Sequence, residues 1–439
     1  MPDKLLDQLI EWLRIPSISS GGGDTQDLER AAEWARNYIT TAGGEAELVS
    51  TELHPLVVGE LKSNDSNAPT VLIYGHYDVQ SADPIDDWTT HPFEPEIRNG
   101  RLYARGAADD KGNFFPLLYV ACELAQNDEL PVNVRILVEG EEEVGGDSVG
   151  NWVMADKRGA DVAIVFDSGM LDESTPSITL GVRGMVSMSV NVRTARGNLH
   201  SGLYGGAVLN ATHALNQMLN AVLPGPDGKL REELRVGLIE PAEDERKAWA
   251  QLPSAAELFE QVGARPIDER SAENYYEQNW ADASIDVNGI AGGDAIQSRT
   301  IIPATASAKL SMRLAPEQSA ADMGAALERF IRGAAPSGAD VDISWHGNDA
   351  AVFDPADPAL KLGAEALAEA CGTPALIRSG GSIPVLTAFA ERGIPTILSG
   401  FTLADDNFHA PDESFRLESL RLGEASARAL YRHLAKLGA

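Results

Sequence analysis

Cysteine is nearly absent from this 439-residue chain, which has only Cys122 and Cys371. Both stand in alanine-rich, helix-like contexts, so they read as small buried apolar groups rather than a disulfide. Long apolar runs are missing as well, since no stretch reaches the roughly 18 to 20 residues that span a bilayer. The start, Met1-Pro2-Asp3-Lys4, leads into an amphipathic helix. It shows no basic stretch or small-residue cleavage site of a secretory signal, so a cytoplasmic location is expected. Positive charge is scarce, with 35 Lys and Arg against 66 Asp and Glu and a formal net charge of -31. Phosphate binding requires a basic face, so nucleic acid and anionic membrane are excluded as partners. The acidity itself reads as a solubility feature and carries no catalytic information. Internal repeats, low-complexity tracts and proline-rich linkers are also lacking.

What is present is an alternation of helical and strand patterns. Leu5 to Leu13, Leu28 to Ala42 and Phe114 to Ala125 have helical periodicity. Val71-Leu72-Ile73-Tyr74-Gly75, Val134-Arg135-Ile136-Leu137-Val138, Val162-Ala163-Ile164-Val165-Phe166 and Thr396-Ile397-Leu398 read as short buried strands. Such alternation predicts an α/β fold with a mostly parallel sheet flanked by helices. After Arg183-Gly184 the style changes. A strand at Val186 to Val192, a helix from about Val208 to Leu219, strands at Ser284 to Val287 and Thr305 to Leu314, a helix at Ala320 to Arg332 and a strand at Val341 to Trp345 suggest one antiparallel sheet with two helices. Between them, Pro241 to Trp280 reads as irregular or short helical, including Ala255 to Val262. The expected organisation is a first domain in two segments, 1–183 and 351–439, interrupted by an inserted α+β domain at 184–350. A chain this long exceeds the roughly 250 to 300 residues at which one core stops growing.

Five acidic or histidine-bearing segments, most of them just after an apolar run, carry the chemistry: His76-Tyr77-Asp78, Asp109-Asp110, Glu142-Glu143, Asp167 and His409. Polar groups following buried parallel strands gather at the carboxyl edge of the sheet. Two imidazoles with several carboxylates and no thiolate form a ligand set for zinc, manganese or cobalt, too poor in neutral oxygens for a typical calcium cage. His76 is the expected ligand of its segment, with Asp78 holding the other ring N–H. Asp109 lies in a glycine-flanked turn, and a carboxylate there can face two cations. Glu141-Glu142-Glu143 follows a buried strand, where adjacent carboxylates repel one another unless cations neutralise them. One glutamate can then ligate while its neighbour moves protons. His54, His91, His213, His346 and His433 read as structural or exposed.

In combination, Gly75-His76-Tyr77-Asp78-Val79-Gln80, Arg105-Gly106-Ala107-Ala108-Asp109-Asp110-Lys111-Gly112 and Glu139-Gly140-Glu141-Glu142-Glu143-Val144-Gly145 are highly specific. Over essentially its whole length the chain resembles the co-catalytic di-zinc metallopeptidases. That group contains carnosinases, bacterial dipeptidases, aminoacylases, glutamate carboxypeptidase and succinyl-diaminopimelate desuccinylase. The resemblance implies that Asp109 bridges two metal ions and is joined to Asp110 by a cis peptide. It further implies that His76 and Asp167 complete one metal's ligands, that Glu143 and His409 complete the other's, and that Glu142 is the general acid/base. A water activated by two such cations would attack the peptide carbonyl, with Glu142 relaying its proton to the leaving amine. His200, in Leu199-His200-Ser201-Gly202, matches the family's oxyanion donor. In dimeric relatives the partner's insert supplies that donor, so a homodimer through a lid-like insert is implied.

For substrate, the resemblance implies that Arg313 binds the free carboxylate of a short peptide, with Thr300, Gly381 and Ser382 at other contact positions. Arginine suits a carboxylate because its fork meets it in bidentate geometry. Ser379 departs from the acidic residue that many dipeptidase relatives carry before the double glycine. The Ala410-Pro411-Asp412-Glu413 that follows His409 is closer to carboxypeptidases and deacylases. The expected activity is metal-dependent hydrolysis of dipeptides or short peptides with a free carboxylate. The alternatives are an N-acyl-amino-acid deacylase or carboxypeptidase using the same site, and a metal-dependent binding protein without turnover.

Overall fold

The computed structural model describes residues 4–438 apart from positions 242, 262, 295, 298, 317 and 382. They form two compact units, one of residues 4–180, 353–377 and 383–438, the other of residues 181–352 with 378–381.

The first unit is built on strands β1 (Glu45–Val49), β2 (Leu56–Leu61), β3 (Thr70–His76), β4 (Asn133–Glu139), β5 (Val162–Phe166), β6 (Ser177–Val182) and β7 (Thr396–Ser399). They follow the order β1-β2-β4-β3-β5-β7-β6. The pairs β4/β3, β3/β5 and β5/β7 are parallel, while β1/β2, β2/β4 and β7/β6 are antiparallel. A parallel core with antiparallel margins results, and its central strands are almost wholly buried, as strands covered on both faces must be. Helices α1 (Lys4–Leu13), α2 (Thr25–Thr41), α3 (Lys111–Gln126), α4 (Ser148–Ala155), α5 (Pro358–Ala370), α6 (Pro384–Glu391) and α7 (Leu417–Leu434) supply the cover. Alternate residues of β3 serve the two faces. Val71 and Ile73 join the large core that holds Phe114, Phe115 and Leu118 of α3. Tyr74, turned the other way, meets Phe389 of α6 edge-on, with ring centroids 6.2 Å apart.

Two of these contacts fix the start of α3, which opens directly after Asp110. A Cβ on Gly75 would lie 2.3 Å from Phe114 Cγ, so only glycine lets β3 and α3 approach this closely. Lys111, fully buried, donates through Nζ to the carbonyls of Trp12 (3.3 Å), in the last turn of α1, and Ile15 (2.9 Å), just past it. Burial draws its amine down to about 7, and carbonyl oxygens left over at a helix end are suitable acceptors for such a group.

In the second unit, strands run in the order Ser284–Gly292, Thr305–Leu314, Gly184–Arg193 and Asp340–Asn348, all antiparallel. Gly184–Arg193 alternates buried residues with half-buried or exposed ones, the pattern of a sheet covered on one face. That face carries Val186, Met188, Val190, Leu310 and Met312, and the helices Ala211–Leu219 and Ala320–Gly333 lay Leu215, Met218, Leu327 and Ile331 on it. The first of these helices begins later than expected because Asn210 caps it, accepting from the N–H groups of Thr212 and His213. The helix expected at Ala255 to Val262 spans Ala255–Gln261, with Val262 outside the described residues. Arg183 draws the glycine turn after Arg378 into this unit. Its N–H donates to Gly381 O, and its guanidinium donates to Gly380 O (3.1 Å) and Asn279 Oδ1 (3.0 Å).

Among the described residues no helix is long and apolar enough to cross a membrane. Substituting Gly75→Ala should destabilise the first unit by about 1–3 kcal/mol, the range for overpacking a close contact. A shifted urea midpoint at unchanged slope would register it.

Candidate metal centre

The carboxyl ends of the parallel strands place the chemistry. His76 is the last residue of β3, Asp167 follows β5 directly, and Glu142–Val144 form a single 3-10 turn shortly after β4. Asp109 comes from the loop before α3, and His409 from the loop between β7 and the last helix.

His76 is fully buried, with Nδ1 3.0 Å from the carbonyl oxygen of Asp78. A carbonyl only accepts, so in the neutral ring the proton sits on Nδ1 and Nε2 presents a lone pair. That lone pair faces Asp109 Oδ1 at 3.1 Å. Two acceptors this close require a proton or a cation between them. On the other side, Asp109 Oδ2 lies 2.9 Å from His409 Nε2, which is itself 3.2 Å from Glu143 Oε2. The two oxygens of Asp109 thus face different imidazoles. Two ligand groups follow, His76 with Asp109 and Asp167, and Asp109 with Glu143 and His409; in each, the donor atoms lie within 4.8 Å of one another.

Asp78 acts differently from the simple expectation. Its backbone carbonyl, not its carboxylate, is the nearer partner of His76, since Oδ1 stands 3.4 Å from Nδ1. The carboxylate is engaged elsewhere, Oδ2 accepting from Ser19 Oγ (2.6 Å) and from the N–H of Glu143 (3.1 Å). Asp78 therefore links the strand end that carries His76 to the turn that carries Glu143.

Other supports had no role assigned from sequence. Glu413, fully buried, accepts from the N–H groups of Gly106 (3.0 Å), Ala108 (2.8 Å) and Asp109 (3.1 Å) and pairs with Arg105 at 2.7 Å. Gly106 adopts φ +85° within that loop, a conformation that favours glycine. The Asp109–Asp110 peptide is cis. Gln80 Nε2 donates to Glu143 Oε2 at 2.9 Å. The signals were faint: Gln80 and Arg105 stand inside the quoted motifs, and Glu413 follows His409 by four residues.

The electrostatics test whether cations fit. Burial pushes the carboxyls of Glu142 and Asp167 well above their ordinary range, and neighbouring carboxylates add to the effect. Burial opposes protonation of His76, yet the adjacent carboxylates of Asp109 and Asp78 carry it well above the usual imidazole value. Hydrogen bonds to Asp109 and Glu143 raise His409 to about 10. Asp109 is held low: burial would raise it, but His409 and His76 outweigh burial. Glu143 Oε1, Asp78 Oδ1 and Asp110 Oδ1 are buried with no hydrogen-bond partner among the described residues. Carboxyls in such surroundings stay ionised only beside compensating positive charge. A nitrogen and carboxylate set without thiolate suits divalent zinc, manganese or cobalt. The residues fit a pair of such cations.

Glu142 belongs to neither ligand group, leaving its carboxyl for other work. His200, Thr300, Arg313 and Gly381 lie in the second unit. His200 is exposed and caps a short helix, Nδ1 accepting from Gly202 N–H at 3.1 Å. Arg313 sits on strand Thr305–Leu314, and burial lowers its guanidinium. Thr300 is exposed, and its carbonyl accepts from the N–H (3.0 Å) and the hydroxyl (2.9 Å) of Ser201. Gly381 donates to Ser379 Oγ at 3.1 Å. Ser382 lies outside the described residues.

A match to Peptidase family M20/M25/M40 runs over residues 72–433. The chain belongs to that family. It is 30% identical to the cysteinylglycine-S-conjugate dipeptidase of Corynebacterium striatum, covering 98% of this chain and 96% of the relative. It is 25% identical to the human beta-Ala-His dipeptidase, covering 99% and 91%. Among solved structures it is similar to an M20 family metallo-carboxypeptidase of Sulfolobus solfataricus, with 28% identity, TM-score 0.91 and coverage of 99% and 100%. The protein is a metal-dependent hydrolase with a mostly parallel α/β catalytic fold.

The buried Arg105–Glu413 pair generates a prediction. Glu413→Ala leaves Arg105 and three loop N–H groups without their acceptor, so unfolding free energy should fall by about 3–5 kcal/mol. Chemical denaturation of the metal-free protein measures it.

Proposed function

We propose that this protein hydrolyses the peptide bond of dipeptides and other short peptides bearing a free carboxylate. The observation that carries the reading is Asp109, whose two oxygens face His76 Nε2 at 3.1 Å and His409 Nε2 at 2.9 Å. His76, Asp109 and Asp167 would hold one divalent cation, and Asp109, Glu143 and His409 a second. Zinc is the cation we assign, with manganese or cobalt as substitutes. Bound there, two such cations supply Lewis-acid charge and bring a water's pKa toward neutrality.

The chain's own groups do the rest. Glu142, outside both ligand groups, takes a proton from the attacking water and returns it to the leaving amine. His200 serves as the oxyanion donor: its Nδ1 already accepts from Gly202, so the neutral ring carries its proton on Nε2. Arg313 meets the substrate carboxylate with its fork, and Thr300, Gly381 and Ser382 complete the contacts. We take residues 184–350 as a lid and dimerisation domain inserted between 1–183 and 351–439, and the protein as a homodimer through it. We place the protein in the cytoplasm, in keeping with two cysteines that are both free.

A carboxypeptidase reading is favoured by two observations, the similarity to the Sulfolobus solfataricus metallo-carboxypeptidase and Ser379 before the double glycine. An uncharged residue there offers no counter-charge to a dipeptide's ammonium. The experiment is a panel of dipeptides, longer peptides and N-acyl amino acids on metal-reconstituted enzyme. Preferential cleavage of dipeptides supports the first reading, preference for longer chains the carboxypeptidase, preference for acyl amino acids a deacylase. Turnover of none would leave a binding protein.

Glu142→Gln should lower kcat by a factor on the order of 10² to 10⁴ with metal content unchanged by elemental analysis. Loss of metal instead would exchange its role with that of Glu143. His200→Ala should lower kcat by a factor on the order of 10² to 10³, read in steady-state kinetics.

A further inference from the structure

The segment Ser17-Ile18-Ser19-Ser20 runs beside Tyr77–Ser81, the stretch that leaves β3. Val79 N–H donates to Ser17 O (2.9 Å), Ser19 N–H to Val79 O (3.3 Å), and Ile18 and Val79 form a parallel bridge. Two side chains of this segment reach toward the metal centre. Ser19 Oγ donates to Asp78, and Ser20 Oγ lies 3.0 Å from Gln80 Oε1.

The direction of the second relay is fixed at every link. Ser20 Oγ accepts the N–H of Ser81 at 2.9 Å, which leaves its hydroxyl proton for Gln80 Oε1. The amide oxygen is thereby turned to Ser20 and the NH₂ to Glu143, the arrangement in which the amide donates to the Glu143 carboxylate. Nε2 then reaches Glu143 Oε2 at 2.9 Å and Glu143 O at 3.4 Å. The amide so holds one oxygen of the carboxylate, while Glu143 Oε1 is buried without a hydrogen-bond partner among the described residues.

We propose that Gln80, oriented by Ser20, is a positioning residue that holds the Glu143 carboxylate in place as a ligand of the second cation. The inference rests on the two-cation reading above. An amide is suited to the task because it donates without bringing charge. A lysine or arginine at this place would neutralise the carboxylate and compete with the metal, and a hydroxyl would be too short to span from Ser20. Hydrogen-bond partners of ligands typically change metal affinity by about 10- to 100-fold. Because Gln80 touches only the group of Asp109, Glu143 and His409, its effect falls on one site of the two.

The test is calorimetric titration of the metal-free protein with zinc, with bound metal counted by elemental analysis and kinetics run in parallel. Gln80→Leu, one atom shorter but of comparable bulk, removes the donor. The wild type should take up two zinc ions per subunit. In Gln80→Leu one of the two sites should lose about 10- to 100-fold in affinity, the other should hold, and one ion should remain at limiting zinc. Its kcat should fall at limiting zinc and recover in excess zinc with KM unchanged, a rescue that a merely structural defect would not show. Ser20→Ala should weaken the same site to a smaller extent, and Ser20→Thr, which keeps the hydroxyl, should not.

Unchanged titration of Gln80→Leu, with a fully active two-zinc wild type, would overturn the inference and leave the function standing. Equal weakening of both sites with a lowered Tm of the metal-free form would also overturn it, in favour of a packing role. A wild type that binds no zinc would remove the inference and the two-cation reading together.

Discussion

The crowding of negative charge at the carboxyl edge of the parallel core is the constraint around which the first unit is organised. Asp78, Glu142, Glu143 and Asp167 stand just beyond the ends of neighbouring strands, and Asp109 and Asp110 join them from the loop before α3, several of these acids being buried. Water does not reach such groups freely, so they need positive charge or protons from within. Among the described residues the nearby imidazoles, His76 and His409, both face Asp109. That geometry concentrates most of the compensation at Asp109, with His409 also reaching Glu143, and leaves the remaining acids without an imidazole of their own. A protein that merely needed stability would gain nothing from this arrangement; one that activates water does.

The surrounding structure serves to keep the acids in place. Four of the five ligand-bearing segments are tied to others distant in sequence: the end of β3 to the Glu142–Val144 turn through Asp78, the loop before α3 to the last loop through Glu413, and the turn at Glu143 to the residues after α1 through Gln80 and Ser20. Backbone N–H groups and neutral amides do most of this holding. They orient a carboxylate without cancelling its charge, which a ring of lysines and arginines would do.

Much of this was legible in the chain. The strands that form the parallel core are near-continuous apolar runs, and His76, Glu142, Glu143 and Asp167 stand out because each ends or follows one. The margins were harder to read. Glu45–Val49 has two acids among its residues and is largely half-exposed, so it carries no apolar run, and the three-residue strands Glu96–Arg98, Arg101–Tyr103 and Ser414–Arg416 are too short to show a period. The supporting hydrogen bonds were invisible for another reason. Nothing local distinguishes Glu413 from its acidic neighbours Asp405, Asp406 and Asp412; its partners are 304 to 308 residues away. Asp78 shows the same limit, since spacing suggested a carboxylate partner for His76, whereas the backbone oxygen is nearer.

That separation matters while the chain is being made. Synthesis delivers residues in order from the amino end, so His76, Asp109, Glu143 and Asp167 leave the ribosome long before Glu413 exists to clasp the Gly106–Asp109 loop or His409 to face it. A growing polypeptide can lay down the parallel strands early but cannot finish the centre until the stretch from His409 to Glu413 emerges. Hydrolytic power therefore arrives as a property of the completed molecule, and an unfinished chain carries the acids without the means to use them.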